Sequence, residues 1–217
     1  MEGKASNFLQ NLRQQLSKEN EKILNHKFVK DAEDGRLSVE KVKLFVTQQY
    51  YTVNHDLRSL AAMLSRGRND DEVDFFRMLL DGDREALKKL ILLSKELGLS
   101  QVELDSAVIL AGAASYTHYL AWLASYANAG EQAAALTVNL PVWGTNCKRL
   151  GNALRNKYGL KETGLFELFS GPTEAIESPA LKIMDNYLER YSLGMERSAR
   201  LIQAYELSFW DTVYQGV

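Results

Sequence analysis

Helical periodicity runs through almost the whole chain, and nowhere does the apolar/polar alternation of a strand persist. Only Pro141, Pro172 and Pro179 interrupt 217 residues, and long stretches rich in Leu, Ala, Lys, Glu and Arg favour helix. A chain of this length buries a substantial core as one domain. Residues 1–217 are therefore expected to form a single all-α bundle of seven to nine helices.

Caps and breaks place the segments. The first helix is expected from about Ser6 to about Val29, before the turn Asp34-Gly35-Arg36-Leu37. Ser38 reads as the N-cap of a long helix with Val42, Phe45, Val46, Val53, Leu57, Leu60 and Met63 on one face. Arg66-Gly67-Arg68-Asn69 ends it. Asn69 and Glu72 resemble a capping pair for a shorter helix that stops near Asp81-Gly82-Asp83, and another follows to Leu97-Gly98. Ser100 and Glu103 form a capping box before the most apolar helix, about Gln101 to Ala127, closed by Asn128-Ala129-Gly130. The next spans roughly Glu131 to Tyr158 with Pro141 inside it, which should kink it and free the Thr137 carbonyl. A short helix is expected within Lys161–Ser170. Ser178-Pro179 should open the last stretch, to Gln215, with a bend near Ser192-Leu193-Gly194.

Composition excludes several functions. A net charge of −2 and no basic tract give no footprint for nucleic acid. No run of about 18 apolar residues could cross a membrane, and the N-terminus lacks the basic-then-apolar layout of a signal peptide. The lone Cys147 can form no internal disulfide, which suits a reducing cytoplasm. The three histidines, His26, His55 and His118, lie on different segments without the Glu-x-x-His spacing of a di-iron bundle, so neither metal nor cofactor is expected.

Against that background one carboxylate is misplaced. Glu206 shares a helical face with Ala199, Ile202, Phe209, Trp210 and Val213. Burial there disfavours the charged form and makes Glu206 a candidate proton-transfer group, or else a core glutamate satisfied by a neighbouring tyrosine or amide. Gln49 follows Phe45 and Val46 and precedes Val53 on another apolar face, with Tyr50, Tyr51 and Asn54 around it. It is either a ligand group or a helix-to-helix hydrogen bond. Tyr116, next to Gly112, Ala113 and Ala114, needs a partner for its hydroxyl if buried. Val142, Trp143 and Asn146 follow Pro141, where irregular backbone could meet a ligand. Cys147 on that segment reads as a small core residue.

Four stretches in register resemble the TenA (thiaminase II) family, grouped with PqqC in the heme-oxygenase-like helical fold. His26-Lys27-Phe28-Val29, Gly35-Arg36-Leu37 and Phe45 through Gln48-Gln49-Tyr50 resemble its His-Pro-Phe, Gly-x-Leu and Gln-Asp-Tyr pattern. Tyr116-Thr117-His118-Tyr119-Leu120 resembles Tyr-Thr-x-Tyr-Leu, and Leu140-Pro141-Val142 falls where the family has Leu-Pro-Cys. Tyr205-Glu206-Leu207-Ser208-Phe209-Trp210 resembles the terminal Tyr-Glu-x-x-Phe-Trp. The resemblance implies C–N hydrolysis on an aminopyrimidine, in thiamin breakdown or salvage. Glu206 would move the proton, Phe209 would wall the pocket and Tyr116 would contact the pyrimidine or the leaving amine. It also implies a homodimer or homotetramer.

Two departures alter that expectation. Val142 stands at the nucleophile's place and cannot form a covalent adduct, and Cys147, five residues on, would project roughly 140° away on a helix. Gln49 replaces an aspartate, keeping hydrogen-bonding capacity but losing charge. A branch of the family without the cysteine acts through carboxylates, but no second carboxylate near the pocket is evident from sequence. The open alternatives are such a hydrolase, a diverged binding protein that has lost the chemistry, and a PqqC-like cofactor-free oxidase.

Overall fold

Side-chain caps set helix starts in the computed structural model, which describes residues 3–216. The Ser38 and Asn69 side chains accept from the backbone N–H groups of Lys41 and Glu72. Ser100 with Glu103 and Asn128 with Glu131 form complete capping boxes. The described residues hold α1 (Lys4–Gln15), α2 (Ser17–Leu24), α3 (Lys27–Glu33), α4 (Val39–Ser65), α5 (Asp70–Glu96), α6 (Gln101–Asp105), α7 (Ala111–Tyr126), α8 (Ala129–Val138), α9 (Leu140–Tyr158), α10 (Gly164–Phe169) and α11 (Glu174–Gln215). Nine of these have seven residues or more, α6 and α10 are single short turns, and no strand occurs among the described residues. None of the helices is long and apolar enough to cross a membrane.

The boundaries depart from expectation where tertiary contacts outweigh local signals. The first long segment is three helices, because the chain turns at Leu16 and again at His26, whose ring accepts from the Phe28 N–H and caps α3. Gly82 does not end a helix: α5 continues through it. The apolar run from Gln101 is cut at residues 106–110, where Gln48 on α4 clamps the irregular backbone, donating to the Val108 carbonyl and accepting from the Leu110 N–H. Pro141 sits at a helix start rather than inside one, since α8 ends at Val138 and α9 begins at Leu140. Pro179 lies within α11, which begins at Glu174; its bend falls at Tyr191, with φ −129° and ψ 16°, close to the expected place.

Two apolar clusters share the interior. One centres on Phe28, Phe45, Phe166, Phe209 and Trp210, the other on Leu9, Met63, Phe75, Phe76, Leu123, Met184 and Ile202. Helices α4 and α11 run through both and so fix one cluster against the other.

The backbone freed at the α8–α9 junction has a built partner. Arg13 Nη2 donates to the Thr137 carbonyl at 2.9 Å and to Glu177 Oε1 at 2.7 Å. Arg13→Met should remove the side-chain donor from that carbonyl and leave Glu177 with Thr173 Oγ1 alone, destabilising the fold by about 1–3 kcal/mol. Urea denaturation checks this; an unchanged midpoint would mean that water replaces Arg13 without loss.

Candidate functional site

A cavity of about 290 Å³ opens between the two apolar clusters, close to the lower end of small-molecule sites. Val53, Trp143, Phe169 and Phe209 contribute from one cluster, and Leu60, Met78, Leu120 and Ile176 from the other. The polar members of its wall are Gln49, Thr52, Asp56, Asp83, Tyr116, Asn139 and Glu206. Among the described residues no Lys, Arg or His lines it.

Glu206 is 4% exposed and held at both oxygens. Trp210 Nε1, one turn on, donates to Oε1 at 2.8 Å, and Asn139 Nδ2 donates to Oε2 at 3.1 Å. Trp210 cannot swing away, being fully buried against Phe28, Phe45, Trp143 and Phe209. Burial pushes the Glu206 carboxyl up to about 7, against the pull of its two donors. Asn139 Oδ1 is buried without a partner, an acceptor at the same junction.

Two carboxylates that periodicity did not bring forward share the cavity. Asp56 on α4 is buried and accepts from Thr117 Oγ1 at 2.5 Å. Burial first, then the charge of Asp83, raises its carboxyl well above the ordinary range. Asp83 on α5 is half-buried in the facing wall, and desolvation there pushes it up to about 7. Tyr116 feels all three acids: burial, then Asp56, Glu206 and Asp83, raises its phenol well above its usual value. Both aspartates carried a sequence signal. Asp56 falls three residues after Val53 and four before Leu60 on the apolar face of α4, while Asp83 follows Gly82, which resembles a helix end in sequence although α5 continues through it.

Of the residues singled out from sequence, Glu206, Gln49, Tyr116, Trp143 and Phe209 come together on this wall. Three do not. Tyr50 turns outward, its hydroxyl donating to Asp105 Oδ1 at 3.1 Å and accepting from Gln101, which ties α4 to α6. Val142 packs into the Phe45 cluster, 4% exposed. Asn146 Nδ2 donates to the Ile23 carbonyl at 3.0 Å, anchoring α9 to the end of α2. On the turn after Pro141 only Trp143 reaches the cavity, because Val142 and Asn146 project to other faces of α9. Cys147 is buried away from the cavity, and desolvation raises its thiol well above the usual value, the opposite of an activated nucleophile. No group of three or more His, Cys, Asp or Glu placed to hold a metal ion occurs among the described residues.

The helical layers and their central cavity define a heme-oxygenase-like bundle. Heme oxygenase-1 from Synechocystis, solved with heme, superposes with a TM-score of 0.72 at 14% identity over 97% of this chain and 93% of its own. A family model described as TENA/THI-4/PQQC matches residues 13–216, and the chain belongs to that family. A TenA family transcription regulator from Silicibacter is similar in structure, with a TM-score of 0.80 and 20% identity over 97% of this chain and 96% of that one. A TenA homologue from Pyrococcus horikoshii gives 0.79 and 21% over 97% and 99%. No curated protein sequence matches.

Glu206 gives a pH-dependent stability of definite sign. Its folded-state pKa lies above its unfolded value, so the folded state binds more protons between about 4.5 and 7. Its contribution is fully present below about 4.5 and is lost as pH rises through 7, on the order of 3 kcal/mol in all. Glu206→Gln should flatten this fall in the melting temperature, with Asn139 turning its amide so that Oδ1 accepts from the new side chain. Parallel pH profiles for parent and variant would rule out a buried, proton-holding Glu206.

Proposed function

We propose that the cavity binds a small planar nitrogen heterocycle of the aminopyrimidine type, and that Glu206 moves the proton in hydrolysis of a C–N bond on it. The observation that carries this reading is a carboxyl group fixed by Trp210 and Asn139 on the cavity wall, with its pKa brought to about 7. A group poised near neutrality both takes and returns a proton at working pH. Family membership and the TenA homologues of similar fold support the ligand class.

The residues divide the work by chemistry. Phe209 and Trp143 offer flat apolar surface to a ring, while the Gln49 amide and the Tyr116 hydroxyl offer hydrogen bonds to its nitrogens. With no thiol on the cavity, water attacks the carbon directly. The Glu206 carboxylate takes a proton from that water as the C–O bond forms and the C–N bond breaks. A substrate amine that enters protonated leaves as ammonia, and Glu206 then gives up its proton. A second reading, a protein that holds its ligand without turnover, is favoured by Val142 and Cys147, neither of which presents a nucleophile to the cavity.

Calorimetric titration with 4-amino-5-aminomethyl-2-methylpyrimidine and its hydroxymethyl analogue, followed by an ammonia assay, separates these. Binding of the amine with ammonia release supports hydrolysis; binding without release supports the holding protein; binding of neither overturns the ligand class. Glu206→Gln should lower turnover at least about 100-fold, as expected for loss of a positioned acid/base group, with the fold intact. Undiminished turnover would remove Glu206 from the reaction. Cys147→Ala should leave the rate unchanged, and a rate loss without unfolding would bring the thiol back into the chemistry.

A further inference from the structure

We infer that Asp56, Asp83 and Thr52 form a subsite for a protonated amine on the α4–α5 wall of the cavity, distinct from Glu206. The inference rests on the reading of the cavity as a small-molecule site and narrows its ligand to one with a basic nitrogen in addition to a flat ring.

Three observations converge. Thr52 is 5% exposed, lines the cavity, and its Oγ1 has no hydrogen-bond partner. A threonine inside a helix often bonds the carbonyl one turn back, so this unpartnered hydroxyl at the cavity is left to accept from a ligand while its own O–H stays free to turn toward a carboxylate. Gln49, Thr52 and Asp56 are spaced by three and four residues and share one face of α4, and Asp83 on α5 is close enough for its charge to act on Asp56. Two carboxylates therefore line one cavity that has no basic side chain among the described residues. Such a pair is costly unless a cation or a proton is shared between them.

The chemistry of the surroundings selects the cation. An alkylammonium has three N–H donors, which two carboxylates and one hydroxyl can accept. Met78, Leu79 and Leu60 suit the carbon that bears it, and a Cβ placed at Gly82 would meet no atom within 4 Å, so there is room beside Asp83. A metal ion is the poorer match, with no group of three metal-ligating side chains among the described residues. Thr117 fixes Asp56 from behind, so the subsite is preformed rather than assembled by the ligand.

Binding of 2-phenylethylamine and of its uncharged isostere 2-phenylethanol to the full chain tests this, with 4-amino-5-hydroxymethyl-2-methylpyrimidine titrated separately into the parent protein. The amine should bind at least about tenfold more tightly than the alcohol, the scale of charge-assisted hydrogen bonds. Asp83→Asn should erase that preference, as should Thr52→Val in part, neither with a fall in melting temperature; Asp56→Asn provides a second carboxylate variant should either fold poorly. Equal affinity for the two probes, or no binding of the amine, overturns the subsite. So does a preference that survives both aspartate variants but disappears in Glu206→Gln, which would put the amine at Glu206. The neutral pyrimidine reads the other proposal independently: if it binds while the amine preference is absent, only the subsite fails.

Discussion

The hydrogen bonds that Trp210 and Asn139 give to Glu206 are the constraint on which the cavity depends. They join the α8–α9 junction to α11 at the wall of the cavity. Trp210 is immobilised by aromatic neighbours from α3, α4, α9 and α11 itself, so the indole fixes the carboxyl rather than the reverse. Asn139 is free to occupy its place because the helix breaks there, and the carbonyl exposed by the break, that of Thr137, is taken by Arg13. One helix interruption thus supplies both the amide that holds Glu206 and a backbone debt settled from α1.

Around that point the cavity gathers acids, with no basic side chain on its wall among the described residues. Glu206, Asp56 and Asp83 are all raised by desolvation, and Tyr116 is raised by burial together with all three. An apolar, acidic, small cavity discriminates by charge more than by shape, because a ligand that carries a proton or a cationic nitrogen relieves a cost that a neutral isostere leaves in place. Desolvation, which brings Glu206 to about 7, also raises the Cys147 thiol, with the charge of Glu206 adding to it, and so disfavours a thiolate. Carboxylates, not the thiol, are the chemically available groups.

Much of this was legible in the sequence, for physical reasons that also mark the limit. Periodicity of 3.6 located Glu206, since a charged residue among Ile202, Phe209 and Trp210 has nowhere solvated to go. The same period places Asp56 between Val53 and Leu60 on α4, but Gln49 shares that face and the tyrosines beside it carry an equally strong polar signal. Side-chain partners several helices away are not encoded locally. Nothing in the neighbourhood of Asn146 says that its amide serves the Ile23 carbonyl, or that Gln48 rather than Gln49 makes the helix-to-loop bonds. Gly82 and Pro141 depart from their local signals in opposite directions. A glycine was carried through a helix by packing on both sides of it, and a proline took the helix start, where its missing N–H costs nothing.

The most direct measurement is the titration of the Glu206 carboxyl itself, by carbon-13 resonance or carboxyl infrared band in the ligand-free protein, assigned by its loss in Glu206→Gln. A carboxyl that keeps its proton well above the ordinary glutamate range and titrates near 7 is the expected result. A Glu206 signal that is fully ionised by about pH 5, in the ordinary range for a solvated glutamate, would contradict the desolvated, proton-holding site on which the proposed chemistry stands.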